Sequence, residues 1–166
     1  LDFIVLTHCH LDHLGSLPIL SRENPRAPVL VSQASRTLAC RMLNNSIAVM
    51  KRQRAELDLP EYPLYGRGDV ADLRKRFQPL AFGRPFELEK NGETLEVIFH
   101  LAGHVAGAAS CSVCRNGEKI FFTGDVLFNA QRTLPGAKPS LDPIDVLVME
   151  TTRGLTERPL GGSREA

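Results

Sequence analysis

The sequence predicts a layered α/β sandwich with metal-ligand side chains gathered at its strand ends. Three observations lead there. In the first half of the chain, short apolar runs alternate with segments of helical period. In the second half, Asn91-Gly92 and Asn116-Gly117 each separate two strand-like runs, which is the signal of antiparallel hairpins. Imidazoles and carboxylates then follow directly on the ends of several apolar runs.

Residues 3–6 read as a short buried strand, and residues 14–23 as a helix with Pro18 near enough to its start to be tolerated. Asn24-Pro25-Arg26 ends it, and residues 28–31 form a second short strand. Ser32 or Ser35 caps a long helix that runs to about Leu57. Leu38, Met42, Leu43, Ile47 and Met50 recur along it in steps of three or four. Residues 58–68 carry Pro60, Pro63, Gly66 and Gly68 and read as a loop. Asp69 caps a helix to residue 77, with Val70, Leu73 and Phe77 on one side. Strands are expected at 79–82, 86–89, 94–101, 108–113, 119–122 and 146–149. The polar stretch 154–166 is expected to fray.

A chain of 166 residues is long enough for one domain with its own core. With 43% hydrophobic and 23% charged residues it has the balance of a globular protein. The net charge of +1 selects neither nucleic acid nor membrane as partner. No apolar run approaches the ~20 residues that cross a bilayer, and no signal-peptide pattern opens the chain. The chain starts at Leu1 and enters a strand at once. The expectation is an excised piece, with 1–153 an incomplete domain and 154–166 a tail leading to a further segment.

Cys9, Cys40, Cys111 and Cys114 form no dense secreted-type framework. Cys111-x-x-Cys114 lacks the second pair of a zinc site, and on a strand its thiols point to opposite faces. They read as small apolar residues, and a reducing cytoplasm fits best. Residues 36–84 hold ten Lys/Arg against five Asp/Glu. The excess is either a phosphate-facing surface or a solvated helix face, and runs of charge usually mean the latter.

The chemistry concentrates in Thr7-His8-Cys9-His10-Leu11-Asp12-His13. In extended chain His8 and His10 point to one side, and Cys9 to the other. Asp12 and His13 fall at a helix start and can turn back to the same point. Imidazole nitrogen and carboxylate oxygen are the donors that Zn²⁺ takes in catalytic sites, and four such groups converge comfortably only on a cation. His104 sits among small residues, Ala102-Gly103 and Ala106-Gly107-Ala108, that let backbone wrap closely round an ion. His100, one strand step earlier in an apolar run, reads as a core or supporting histidine. Asp125 leaves a strand after Gly124, and its two oxygens can bridge two cations. Glu150, at the tip of an apolar run expected to be buried, either orients a catalytic group or caps a turn.

These motifs together resemble the metallo-β-lactamase superfamily, and within it the β-CASP branch of RNA-processing nucleases that includes ribonuclease J and the cleavage and polyadenylation nuclease. The resemblance rests on residues 6–18, Ala102-Gly103-His104-Val105-Ala106-Gly107-Ala108-Ala109, Phe122-Thr123-Gly124-Asp125 and Met149-Glu150-Thr151-Thr152-Arg153-Gly154. It implies an αββα sandwich, here without its opening strands and C-terminal portion. It implies a zinc-dependent phosphodiesterase that cleaves single-stranded RNA with a hydroxide activated between two zinc ions. His8, His10 and His104 would hold one zinc and Asp12 and His13 the other, with Asp125 as the bridge. Asp12 and Glu150 would be the catalytic carboxylates, Glu150 opening the inserted β-CASP domain. Arg153 stands where such nucleases often have Tyr. No histidine follows His104, so the last zinc ligand and the acid for the leaving oxygen have no match here, and the isolated piece is expected to be weak or inactive.

Two rival readings remain. One is a metallo-hydrolase of thioesters, lactones or β-lactams, against which the wording around His104 and Glu150 argues. The other is a non-catalytic RNA-binding subunit, against which the intact ligand set argues.

Overall fold

The computed structural model describes residues 1–139, 142–152 and 154. Arg153 and the segment 155–166 lie outside the described residues. The order is β1 (Ile4–Val5), α1 (Leu11–Leu14), α2 (Leu17–Glu23), β2 (Val29–Ser32), α3 (Gln33–Leu57), α4 (Arg67–Lys75) and β3 (Phe77–Leu80), followed by β4 (Pro85–Lys90), β5 (Glu93–Leu101), β6 (Ala109–Arg115), β7 (Glu118–Phe122) and β8 (Val146–Val148).

The strands form two sheets. β1-β2-β3 is wholly parallel, as strands joined through helices must be. β4-β5-β6-β7-β8 is antiparallel except for the β7–β8 pair. Its two tight hairpins turn at Asn91-Gly92 and Asn116-Gly117, where both residues of each pair take positive φ, as the expected turns require.

Alternation along β2 defines the layers. Val29 and Val31 pack with Leu14, Leu17, Leu43 and Leu73 of the helices. Leu30 points the other way and packs with Val97, Phe99 and Cys111 of the second sheet. The layers are therefore helices, sheet and sheet, with one core on each side of the first sheet. Among the described residues no helix covers the outer face of the second sheet. The mixed α/β class and the two-sheet architecture agree with expectation.

Several local expectations change. The helix expected at 14–23 is two pieces, because Pro18 offers no N–H and a new helix begins at Leu17, with Pro in its first turn. Ser32 is the cap of α3; its Oγ accepts the Ser35 N–H at 3.1 Å. α4 begins at Arg67, before Asp69, whose Oδ2 instead accepts the Gly66 N–H at 2.8 Å. Phe77 belongs to β3, shifted two residues earlier than expected. Pro79 is tolerated there because β3 is an edge strand. The strand before Glu150 is not buried: β8 is also an edge strand, and Val146, Leu147 and Val148 are about half exposed.

Candidate metal centre

β1 ends where the two sheets meet. Leu6 N–H extends the parallel ladder to Leu30 O (3.0 Å), and Thr7 O accepts Ala109 N–H from β6 (2.9 Å). The histidines emerge from this junction, so their starting point is fixed by both sheets. His8 is fully buried. Its Nδ1 is held by Thr7 Oγ1 at 3.2 Å, which leaves Nε2 to face His10 Nδ1 at 3.1 Å. Cys9 turns away, as alternation predicts, and its Sγ donates to Ser35 O at 3.4 Å. His10 caps the single turn α1 through its carbonyl, which accepts from His13 N and Leu14 N. That turn carries His13 back over His8, with ring centroids 4.2 Å apart.

His104 reaches the same point from the β5–β6 loop, with Nε2 3.1 Å from His10 Nδ1. The loop is pinned on two sides. Ser32 Oγ and Ser35 Oγ both donate to Gly107 O, at 2.7 and 3.1 Å. Gln131 Nε2 donates to the carbonyls of Gly103 and His104, at 2.7 and 2.9 Å. Gly103 has φ +72 and lies so close to the carbonyl of Leu127 that a Cβ would collide with it.

Asp125 follows Gly124, itself at φ +54. Its Oδ2 lies 3.7 Å from His8 Nε2 and 3.4 Å from His104 Nε2, while Oδ1 lies 3.3 Å from His13 Nε2. Glu150 does not enter this cluster. Its Oε1 accepts the N–H of Val126, the residue after Asp125, at 3.0 Å, and its own N–H donates to Thr123 Oγ1 at 3.2 Å. The Val126 N–H holds the Glu150 carboxyl below its ordinary range, with Thr152 acting in the same direction.

One group therefore forms from His8, His10, His104 and Asp125, whose donor atoms all lie within 4.8 Å of one another. A tetrahedral ion with bonds of about 2.0–2.1 Å needs donors about 3.3–3.4 Å apart, and the contacts above run from 3.1 to 3.7 Å. Burial pushes the His8 imidazole down to about 4, and positive charge at His13 pushes the same way. At neutral pH its nitrogen is bare, the form a metal requires. The donor set fits a divalent cation with imidazole preference. His13 meets the group through Asp125 Oδ1 and through its ring against His8, and Asp12 lies outermost, 76% exposed and 3.5 Å from His13 Nε2.

His100 stays out of the cluster. It lies on β5, half-buried, with Nε2 2.9 Å from Ser112 Oγ and its ring against Phe121. Sequence reasoning missed the fastening residues Thr7, Gln131 and the Ser32–Ser35 pair acting on Gly107. Only the hydroxyl of Thr7, adjacent to His8, carried a local signal.

A family model described as the metallo-beta-lactamase superfamily matches residues 1–163. "Ribonuclease TTHA0252" of Thermus thermophilus is 33% identical over 165 residues, covering 99% of this chain and 34% of that protein. "Transcription termination factor FttA" of Methanocaldococcus jannaschii is 28% identical over 169 residues, covering 100% of this chain and 25% of that protein. "Endoribonuclease YSH1" of Kluyveromyces lactis is 30% identical over 156 residues, covering 93% of this chain and 20% of that protein. The chain thus spans between a fifth and about a third of the length of these curated relatives.

Proposed function

The chain belongs to the metallo-β-lactamase superfamily, and from that premise we propose that it carries the metal centre of a zinc-dependent phosphodiesterase that cleaves single-stranded RNA. The observation that carries the reading is the division of the Asp125 carboxylate, one oxygen toward His8 and His104 and the other toward His13. A carboxylate so disposed suits two cations side by side. His8, His10 and His104 would hold the first, His13 and Asp12 the second, and Asp125 both. The names of the relatives as ribonucleases support RNA as the substrate.

Zinc bound here would supply Lewis acidity toward a phosphoryl oxygen and a nucleophile from water at neutral pH. The chain's own residues do the rest. In this reading Asp12, the exposed carboxylate beside His13, would accept the proton that water loses as its oxygen joins phosphorus, while the ester P–O bond breaks and the leaving oxygen takes a proton from solvent. Thr7 fixes which nitrogen of His8 faces inward. Glu150 acts on the site by holding the backbone just after Asp125, and Gln131 by holding the backbone of His104. Both are positioning residues, and rigid support of this kind is what keeps ligands in productive geometry.

No described helix is long and apolar enough to cross a membrane. The four free cysteines, none in a disulfide, support a reducing compartment, the cytoplasm.

The test is cleavage of end-labelled single-stranded RNA by the zinc-loaded full-length protein beside its Asp12→Ala variant. Cleavage by the wild type that the substitution and a chelator both abolish is the expected result. Intact RNA with zinc-loaded wild type overturns the reading.

A further inference from the structure

Resting on that reading, we propose that the groove between α3 and α4 is a second contact surface for the substrate, a track for the phosphodiester backbone of single-stranded RNA leading away from the metal centre. The groove has a volume of about 510 Å³, and Arg36, Arg67, Arg74 and Lys75 line it with no carboxylate among the lining residues. Along α3 the wall is formed at i, i+4 and i+8 by Arg36, Cys40 and Asn44. Along α4 it is formed at i, i+7 and i+8 by Arg67, Arg74 and Lys75. Helical spacing thus spreads Arg67 and the Arg74–Lys75 pair over about 12 Å of α4, with Arg36 as the one cation on the α3 wall.

The carboxylates of α4 are engaged elsewhere. Asp69 pairs with Arg22 at 3.3 Å and accepts from Gly66 N–H, and Asp72 pairs with Lys75 at 2.7 Å. Among the described residues, Arg36, Arg67 and Arg74 have no ion-pair partner, and all three are exposed. The groove beside Leu1 and the β4–β5 hairpin is the contrast. Its Lys90 and Arg115 are paired with Asp2 and Glu93, and Glu89 also lines it beside Arg26, so it carries as many carboxylates as Lys and Arg side chains. Ten cations against five anions in residues 36–84, within a chain of net charge +1, leave the rest of the molecule net negative. The positive field is therefore local.

The groove also begins in the right place. Arg36 lies in the first turn of α3, next to Ser35, and Ser35 holds Gly107 of the loop that carries His104. An RNA strand leaving the metal centre past that loop would meet the groove at Arg36. No aromatic side chain lines it, so bases have nothing to stack on, and recognition is through phosphate and indifferent to sequence.

The experiment compares the full-length zinc-loaded protein with Arg36→Gln/Arg67→Gln/Arg74→Gln and with a charge-matched control, Lys51→Gln/Arg52→Gln/Arg54→Gln, from the far end of α3. Binding of a fluorescent single-stranded RNA with nuclease-resistant phosphorothioate linkages is read by anisotropy across a salt series. Melting temperature and zinc content verify the fold of each variant. The expected result is binding weakened at least about tenfold in the groove variant, with a slope of log K against log salt shallower by about 2 for three lost contacts, and no change in the control. Equal binding by wild type and groove variant overturns the proposal, and so does an equal loss in the control. Cleavage assayed in parallel separates the two readings: groove-dependent binding without RNA cleavage by the wild type sinks the nuclease, and cleavage with an unchanged groove variant sinks the track.

Discussion

Asp125 Oδ1 stands 3.3 Å from His13 Nε2, while its Oδ2 stands 3.4 Å from His104 Nε2. One side chain thus joins an imidazole group formed by strand end and loop, of which His8 is buried, to an imidazole carried by a single helical turn. Two variants separate these halves. Asp125→Ala is expected to weaken zinc retention overall, by more than the 10–100-fold that loss of a supporting partner costs. His13→Ala is expected to leave one zinc tightly held and release the other. Zinc content after dialysis against a graded chelator reads both. Equal zinc content in wild type and Asp125→Ala would remove Asp125 from the ligand set.

Glu150 touches the backbone beside Asp125 and not the side chains of the His/Asp cluster. Its charge strengthens the bond from Val126 N–H, and the lowered carboxyl range records the same interaction from the other side. Glu150→Gln keeps the shape and a neutral acceptor. It is expected to fold normally, with zinc affinity reduced by about 10-fold, the lower end of a supporting partner's effect. Glu150→Ala, which leaves Val126 N–H without its acceptor, is expected to lose more. Chelator competition and a melting curve on both variants distinguish positioning from a merely structural role, because only positioning moves metal affinity more than melting.

The four cysteines divide by burial. Burial alone pushes the Cys111 thiol up to about 12, and burial also raises Cys9. Only the thiolate is reactive. In the native protein at pH 8, iodoacetamide is expected to modify half-buried Cys40 and Cys114 and to spare Cys9 and Cys111, which react only after unfolding. Peptide mass mapping shows the pattern, and prompt native labelling of Cys111 would contradict its place in the inter-sheet core.

The clustering of these side chains was legible because its information is local. His8, His10 and His13 are bound to one strand end and one helical turn, and spacing alone brings them together. His104 and Asp125 were legible through the small residues beside them. The fastenings were not. Ser32 and Ser35 lie more than 70 residues from the Gly107 carbonyl they hold, and Gln131 reaches back to His104 from a loop with no periodic signal. The exposure of β8 was hidden for a related reason. Four consecutive apolar residues specify a strand, but its position at the sheet edge is set by long-range pairing.

Gly107 shows how far such a fastening controls the site. Its φ of +81 is open to glycine and costly to other residues, and a Cβ there would lie 2.8 Å from both Ser32 Oγ and Ser35 N. Those two atoms belong to the cap of α3, so the clash cannot relax by a rotamer change alone; either the cap or the His104 loop must move. Gly107→Ala is therefore expected to cost on the order of 1–3 kcal/mol of stability and to weaken zinc binding by displacing His104. Ser32→Ala offers the milder comparison. It removes one hydroxyl from the Gly107 carbonyl and the cap acceptor for Ser35 N–H, a loss of roughly 0.5–2 kcal/mol, with the backbone otherwise free to stay. Chemical denaturation of the metal-free proteins gives the stability terms, and chelator competition gives the zinc affinity. If Gly107→Ala unfolds more easily yet holds zinc as wild type does, the loop supports the fold without positioning His104. If both measures fall together, and further than in Ser32→Ala, the contact between α3 and the loop is what sets the geometry of the metal centre.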